Sequence, residues 1–383
     1  MSVDATAFRA AFPALQRYHW LDTPGSPPMP QPVAQALTQA VAQMLSGDFD
    51  WLQIDARPLR VRRDLAHLHG VDEADVALLS SVAEAAATVA GSLPPGTVLV
   101  PAGEFRSALL PWRVLDQQRN PTVLVEAEPG QSLSQALAAK VGVDTALVAV
   151  SSVLSSDGLL VDLQHLRAVT GAVGAQLFVD ATQSFGVLGP AVADLRPDYL
   201  AVHGYKWMLC PRGAAWMVVR PDRQAQLRPL APGWKSTSWP YGYFGPVDQL
   251  AAGAHQLDTQ TAWLPWVGAG AAVQLHASLD PRAVRTHCLT LADRLRAGLR
   301  ELGLSIPGDG QRVPAAGSST DGSHIVVATS DDERLDPQLL EERGVRALCT
   351  PARLRLGVHY FNDESDVDAV LRAVRDSLKT RVR

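Results

Sequence analysis

The 383-residue sequence has few lysines and cysteines, and it contains neither a long apolar run nor a long basic run. No stretch approaches the roughly 18 apolar residues that a membrane-spanning helix needs. The opening "MSVDATAFRA" carries Asp4 and no apolar segment, unlike a signal peptide. A formal net charge of −5 argues against nucleic acid or an anionic membrane as the main partner. The three cysteines lack a C-x-x-C pair and fit a reducing compartment, so we expect a soluble cytoplasmic protein.

Two common kinds of binding site are also missing from the sequence. Neither G-x-x-x-x-G-K-[ST] nor G-x-G-x-x-G occurs, so the chain does not resemble a nucleotide-binding enzyme. The "HLH" at 67–69, with Asp64 nearby, is more typical of the solvated face of a helix than of a metal site. We therefore predict no metal.

Short apolar runs alternate with helical segments between about residue 75 and residue 219. The predicted strands are 75–79, 97–101, 122–126, 146–150, 176–180, 198–203 and 214–219. The predicted helices between them are 82–93, 107–119, 131–140 and 162–173. This alternation predicts an α/β fold with a mainly parallel seven-stranded sheet and helices on both faces.

The rhythm of strands and helices changes near residue 250, where we place a domain boundary. Residues 262–303 are predicted to form two helices, and 323–383 to form strands followed by a terminal helix. We expect a large domain over 20–250. A smaller α+β domain combines 1–19 with 251–383.

Two ionisable residues follow neighbouring strands of the predicted sheet. Asp180 ends the apolar strand "QLFVD", and Lys206 lies just beyond the next strand, between Tyr205 and Trp207. The carboxyl ends of parallel strands meet at one edge, where ligands bind. A lysine among aromatic rings is partly desolvated, which lowers its pKa and frees the neutral amine as a nucleophile. Pyridoxal phosphate needs both an amine and a carboxylate for its ring nitrogen, although a capping aspartate and a surface lysine fit these residues equally well.

The segments "VDATQSFG" and "VHGYKWMLCPRG" decide between these alternatives. They resemble the class V aminotransferase family of fold-type I pyridoxal-phosphate enzymes, which includes cysteine desulfurases, kynureninases and isopenicillin-N-epimerase-like proteins. The resemblance implies that Lys206 forms the Schiff base and that Asp180 pairs with the pyridine nitrogen. It also implies that Gln183 meets the phenolic oxygen of the cofactor. His203 and Tyr205 fall where family members contact the phosphate.

Other parts of the cofactor site follow from the same resemblance. "LLSSVAEAAATVAGSL" resembles the turn whose amides hold the phosphate, which assigns phosphate contacts to Ser81 and Val82; a helix N-terminus suits an anion. "GEFRSALLPW" resembles the segment that covers the ring, and Phe105 is its stacking residue. Ser155 stands where family members carry an asparagine that touches the cofactor.

The resemblance also places the substrate and a second subunit. "YHWLDTPGSPP" resembles the family's opening segment and puts Gly25 and Ser26 near the substrate. In "RLRLGVHYFND", Arg355 takes the position of the arginine that binds the substrate α-carboxylate; a guanidinium grips a carboxylate bidentately. "HQLDTQT" implies a homodimer in which Thr261 reaches the partner subunit's cofactor.

The family chemistry acts on an amino acid through an external aldimine and a Cα carbanion, and several outcomes are open. Transamination is the first expectation. The alternatives are C–S lyase or desulfurase-type cleavage of a cysteine-derived substrate, and epimerisation. A desulfurase needs a nucleophilic cysteine, for which Cys349 is the one candidate although it stands close to Arg355. A non-catalytic binding protein is less expected, because the chain retains Lys206, Asp180, Gln183 and Arg355.

Overall fold

A computed structural model of the chain describes residues 3–189, 192–238, 242–246, 249–307 and 322–380. Within these ranges, none of the helices has the length and apolar character needed to cross a membrane. The strands are β1 (His19–Trp20), β2 (Val76–Leu79), β3 (Thr97–Pro101), β4 (Thr122–Val125), β5 (Thr145–Ser151), β6 (Gln176–Asp180), β7 (Tyr199–His203), β8 (Ala215–Val219), β9 (Ile325–Thr329), β10 (Val345–Arg346), β11 (Leu348–Thr350) and β12 (Arg353–Gly357). The α-helices are α1 (Ala5–Ala10), α2 (Gln31–Ser46), α3 (Trp51–Asp55), α4 (Arg57–His69), α5 (Val82–Ala90), α6 (Arg106–Arg113), α7 (Leu133–Lys140), α8 (Leu163–Val173), α9 (Val192–Leu195), α10 (Pro221–Gln224), α11 (Trp263–Ala277), α12 (Pro281–Glu301), α13 (Pro337–Glu342) and α14 (Glu364–Thr380).

Seven strands form the central sheet, in the order β2-β8-β7-β6-β5-β3-β4. All neighbouring strands run parallel except β8, which is antiparallel to both β2 and β7. β5, β6, β7 and β8 are buried along nearly their whole length, which is typical of a sheet covered on both faces. The predicted α/β fold with a mainly parallel seven-stranded sheet is confirmed.

Two sequence-based expectations around the sheet need correction. Helix α6 ends at Arg113 and does not reach residue 119. Pro111 lies inside it and has no N–H to donate, and beyond the helix Gln117 donates to the carbonyls of Trp112 and Leu115.

The prediction of a solvated face is wrong for His69, which is buried and accepts a 2.8 Å hydrogen bond from the indole Nε1 of Trp216.

A second, antiparallel sheet of β11, β12 and β9 lies toward the C-terminus. The N-terminal segment contacts this region, because β1 pairs in parallel with β10 and Arg9 bonds to Asp366 at 2.8 Å. One continuous cluster of buried apolar side chains includes Phe8 of α1, Val179 of the central sheet and Leu354 of the second sheet. The division into domains over 20–250 and over 1–19 with 251–383 stays a prediction.

Candidate active site

A cavity of about 200 Å³ lies at the carboxyl ends of β5, β6 and β7. The fold brings eight of the predicted site residues to its walls. These are Ser81, Val82, Phe105, Asp180, Gln183, His203, Tyr205 and Lys206. The cavity is also lined by Ala83, Ser107, Ser151, Ser155, Thr182 and Arg212. The sheet therefore assembles groups that are far apart in the sequence at the edge where a parallel sheet binds its ligands.

Lys206 is buried in the wall of this cavity, with 5% of its surface exposed. Burial lowers the pKa of its amine to about 8, although the nearby carboxylate of Asp180 acts in the opposite direction. Its Nζ lies 5.5 Å from the ring centre of Phe105 and 5.6 Å from that of Tyr205. The lowered pKa agrees with the expectation from the sequence, and it raises the fraction of neutral, nucleophilic amine near neutral pH.

Asp180 is the buried carboxylate at the end of β6. Its Oδ1 accepts a 2.9 Å hydrogen bond from the backbone N–H of Thr182. Burial raises the pKa of Asp180, and the hydrogen bonds of Thr182 and the charge of Lys206 offset only part of that effect. A buried carboxylate with so little compensation suits a cationic ligand group such as a protonated ring nitrogen.

A second buried carboxylate, Glu104, went unnoticed in the sequence. It accepts hydrogen bonds from the backbone N–H and the hydroxyl of Ser151, each at 2.7 Å, and from the N–H of Phe105 at 2.8 Å. Burial raises the pKa of Glu104, and the negative charge of Asp180 adds to the rise. The one available signal was a glutamate in "GEFRS" beside a predicted strand.

Both the oxygen and the nitrogen of the Gln183 side-chain amide are hydrogen-bonded. Its Oε1 accepts a 2.9 Å hydrogen bond from the indole of Trp207, and its Nε2 donates to the hydroxyl of Ser155 at 2.9 Å. The same hydroxyl and the carbonyl of Ser155 accept from Nη1 of Arg355, both at 3.1 Å. Ser155 thus joins the residue predicted to bind the cofactor to the residue predicted to bind the substrate.

One end of the cavity has the character of an anion site. The N-terminal residues of α5 line it, and the Ser81 hydroxyl accepts a 3.2 Å hydrogen bond from the N–H of Glu84. Nε2 of His203 is buried there with no hydrogen-bond partner among the described residues. Arg212, which the sequence analysis passed over within "CPRG", lies with its guanidinium carbon 4.1 Å from the ring centre of Tyr205. Free amides, an unpartnered imidazole and an arginine suit a phosphate.

Arg355 lies on β12 beside the cavity, although it is not among the residues that line it. Its Nη2 is 3.7 Å from Oδ1 of Asp22. Gly25 and Ser26 follow Asp22 in a turn in which the N–H groups of both residues donate to the Asp22 carbonyl. The structure therefore brings the predicted carboxylate-binding arginine and the turn at 25–26 together, with Asp22 between them.

Two predicted or considered residues lie elsewhere. Thr261 stands just before α11 and does not line the cavity of its own chain, so its contact across a dimer stays a prediction. Cys349 pairs with Leu354 in the β11–β12 hairpin, whereas Leu348 pairs with Arg355. Because side chains alternate along a strand, Cys349 and Arg355 lie on opposite faces of the hairpin. Burial raises the pKa of the Cys349 thiol to about 11.

A mainly parallel sheet whose carboxyl edge carries a buried lysine and a buried aspartate suits a fold-type I pyridoxal-phosphate enzyme. The family model "Aminotransferase class-V" matches residues 19–312, and the chain belongs to that family. The family depends on pyridoxal phosphate, so this protein is a pyridoxal-phosphate-dependent enzyme.

Several curated proteins are similar over most of their length. An isopenicillin N epimerase of Amycolatopsis lactamdurans is 27% identical over 386 residues, which cover 92% of this chain and 93% of the relative. A probable cysteine desulfurase of Methanothermobacter thermautotrophicus is 24% identical over 323 residues, covering 80% and 78%.

Solved structures share the fold. A complex of the cystine C–S lyase C-DES with its reaction product cysteine persulfide has a TM-score of 0.82 at 22% identity, covering 95% of this chain and 99% of that one. The apo cysteine desulfurase of Thermococcus onnurineus NA1 has a TM-score of 0.82 at 19% identity, covering 97% and 98%.

Proposed function

We propose that the protein is a pyridoxal-phosphate-dependent lyase that breaks a C–S bond at Cβ of a cysteine-derived amino acid. The observation that carries the cofactor chemistry of this proposal is the pair of buried groups in one cavity, the Lys206 amine with a pKa of about 8 and the Asp180 carboxylate. The relatives that act on sulfur compounds support this choice of bond.

Each residue has a part in the proposed reaction. Bound pyridoxal phosphate supplies an electron sink that stabilises negative charge at the substrate Cα. Asp180 would hold the proton of the ring nitrogen, and Gln183 would hydrogen-bond to the phenolic oxygen. Arg355 holds the substrate carboxylate and so fixes which Cα bond faces Lys206. Nζ of Lys206 removes the Cα proton, and the sulfur leaves Cβ with the bonding electron pair.

The phosphate would lie against the N-terminus of α5. Ser81 and Val82 open that helix, His203 has a free Nε2 for a phosphate oxygen, and Tyr205 carries Arg212 against its ring. Phe105 caps α6 at the cavity rim and has 49% of its surface exposed, so its ring is free to cover the cofactor. These assignments agree with the chemistry of the donors.

Elimination fits the site better than sulfur transfer to a protein thiol. A desulfurase-type transfer needs a cysteine that reaches the substrate as a thiolate. Cys349 faces away from Arg355, and burial raises the pKa of its thiol to about 11. Elimination requires no protein thiol, since the sulfur leaves with the substrate fragment.

Epimerisation is a second candidate, favoured by the isopenicillin N epimerase that is 27% identical over 92% of this chain. It begins with the same removal of the Cα proton by Lys206 and differs in returning a proton to the opposite face. Transamination, the first expectation from the sequence, also begins this way, and the relatives named above favour it less.

We also propose a cytoplasmic homodimer in which Thr261 reaches the partner subunit's cofactor. The free thiols of Cys210, Cys288 and Cys349 support a reducing compartment. Half-exposed Phe105 at the cavity rim supports a site that a second subunit completes.

The products formed from a panel of amino acids test the proposed function. The cofactor-loaded enzyme is incubated with cystine, S-alkylcysteines, cysteine sulfoxides, alanine and glutamate, and each reaction is scored for pyruvate with ammonia, for a keto acid alone and for inverted substrate. We expect pyruvate and ammonia from the sulfur compounds only. Inversion without pyruvate would favour the epimerase, and a keto acid without ammonia would favour transamination.

A further inference from the structure

Asp22 is a carboxylate beside the site that the proposed reaction leaves without a part. It follows β1 and forms a bridge with Gly357, at the end of the strand that carries Arg355. Its Oδ1 lies 3.7 Å from Nη2 of Arg355, which is beyond hydrogen-bond length. Neither this oxygen nor Nε of Arg355 has a hydrogen-bond partner among the described residues. Both groups therefore keep bonding capacity for a ligand placed between them.

The turn after Asp22 passes close to its carboxylate. A Cβ added at Gly25 would lie 2.7 Å from Oδ2 and 2.8 Å from Oδ1 of Asp22, so a larger residue there would displace the carboxylate. The charged groups that face Asp22 are Arg355 from β12 and Lys206 from the segment after β7. Burial raises the pKa of Asp22, and these two cations offset part of the rise.

We propose that Asp22 and Arg355 bind the substrate as a zwitterion, Arg355 taking the α-carboxylate and Asp22 taking the α-ammonium group, whose proton Asp22 then accepts. Before the substrate arrives, Asp22 neutralises Arg355. The incoming carboxylate takes its place on the guanidinium and leaves Asp22 free for the ammonium. This inference rests on the proposed function in one respect, namely that the substrate is an α-amino acid.

The proton transfer supplies the form of the substrate that reacts. An α-ammonium group has no lone pair, so it must lose a proton before its nitrogen is a nucleophile. In the transfer an N–H bond breaks and an O–H bond forms on Asp22, and no electrons are gained or lost. Loss of the Arg355 contact strengthens Asp22 as a base at that moment, because a nearby cation favours the ionised carboxylate. Lys206 is left free for the Cα proton.

The test compares the cofactor-loaded wild-type enzyme with Asp22→Asn, which keeps the shape of the side chain and removes its charge. Asp75→Asn is the matched control, because Asp75 is also a partly buried carboxylate, bonded to Gln224 away from the cavity. Gly25→Ala is a second variant that keeps the Asp22 charge and displaces it. The probes are propionate, a carboxylate without an amino group, and the sulfur amino acid that the wild-type enzyme turns over best.

We expect Asp22→Asn to bind propionate about tenfold more tightly, since the competing carboxylate is gone, and to lose about a hundredfold in kcat/KM for the amino acid at pH 7. The loss should shrink by about tenfold per pH unit toward pH 9, as free amine replaces ammonium. Gly25→Ala should show smaller changes in the same directions. Unchanged propionate affinity in Asp22→Asn, or a pH profile parallel to that of the wild type, would overturn the proposal.

The same measurements separate this inference from the proposed function. Absence of pyruvate from wild-type reactions would contradict the lyase assignment. In that case kcat/KM of the variants is measured with the amino acid that does react. Propionate binding needs no turnover at all, so it decides whether Asp22 competes for Arg355 in either case.

Discussion

The indole Nε1 of Trp207 donates a 2.9 Å hydrogen bond to Oε1 of Gln183. Trp207 is completely buried, and its ring lies 5.6 Å from that of His359 in a stacked arrangement. This contact fixes which end of the Gln183 amide is the acceptor, so Nε2 is the end turned toward Ser155. Trp207, the residue after Lys206 in the chain, therefore orients the side chain of Gln183, which is predicted to bind the cofactor.

Trp207→Phe should lower the unfolding free energy by about 1–3 kcal/mol, because Oε1 of Gln183 is left buried without a donor. It should also shift the absorption band of the bound cofactor. Trp112→Phe is the control, since Trp112 is equally buried but donates to the carbonyl of Ala108. If both variants lose stability and both keep the wild-type absorption band, Trp207 has only a packing role.

Asp180→Asn should lower the activity without lowering the stability of the apoprotein. Burial raises the pKa of Asp180 above 3.8, so the folded apoprotein binds this proton more tightly than the unfolded chain. Its stability should therefore fall as the pH rises from 3.8 toward the folded pKa. The variant lacks this fall, so at pH 8 its cofactor-free Tm should equal or exceed that of the wild type.

The activity of the same variant should fall by about a hundredfold or more, because the charge opposite the ring nitrogen is lost. The rate of product formation from the best substrate measures this activity. A variant with a lowered apoprotein Tm and wild-type turnover would make Asp180 a structural residue.

The rate of covalent cofactor capture should follow the pKa of Lys206, which burial lowers to about 8. Below that value the neutral fraction grows about tenfold per pH unit, so the rate should climb to pH 8 and level off above it. Stopped-flow absorbance over pH 6 to 10 measures the profile. Lys140→Arg, at an exposed lysine, should leave the profile unchanged; a rate that still climbs steeply at pH 10 would mean an unperturbed amine.

Cys349→Ala should keep turnover within about twofold of the wild type, because the thiol faces away from Arg355 and burial holds its pKa near 11. Steady-state kinetics with the best sulfur substrate checks this. A drop of more than about tenfold, with an unchanged circular dichroism spectrum, would restore sulfur transfer to the thiol as the mechanism.

The sequence predicted the sheet well because most of its strands are buried on both faces and appear as short apolar runs. β3 and β6 have the predicted bounds, 97–101 and 176–180. Helix α6 was overextended, since the hydrogen bonds of Gln117 that replace the helical ones are not visible in a periodic pattern. His69 was misjudged because its polar type conceals a buried hydrogen bond with Trp216, which is distant in the chain.

The placement of a residue at the sheet edge was predictable where that residue follows a strand, as with Asp180 and Lys206. Residues whose significance comes from a distant partner were harder to predict. Asp22 matters because it lies near Arg355, and Ser155 matters because it is hydrogen-bonded to both Gln183 and Arg355. Glu104 went unnoticed because its partner Ser151 lies 47 residues further along the chain. Such contacts depend on tertiary structure, and no local spacing encodes them.

Borohydride reduction of the cofactor-loaded enzyme tests the central claim most directly, because it makes the cofactor–lysine bond permanent. The chain has lysines at only four positions, 140, 206, 235 and 379, so peptide mass spectrometry assigns the label without ambiguity. We expect loss of the yellow colour and one pyridoxyl group per chain, on Lys206. A label on any of the other three lysines, or a protein that stays colourless with pyridoxal phosphate, would contradict the account.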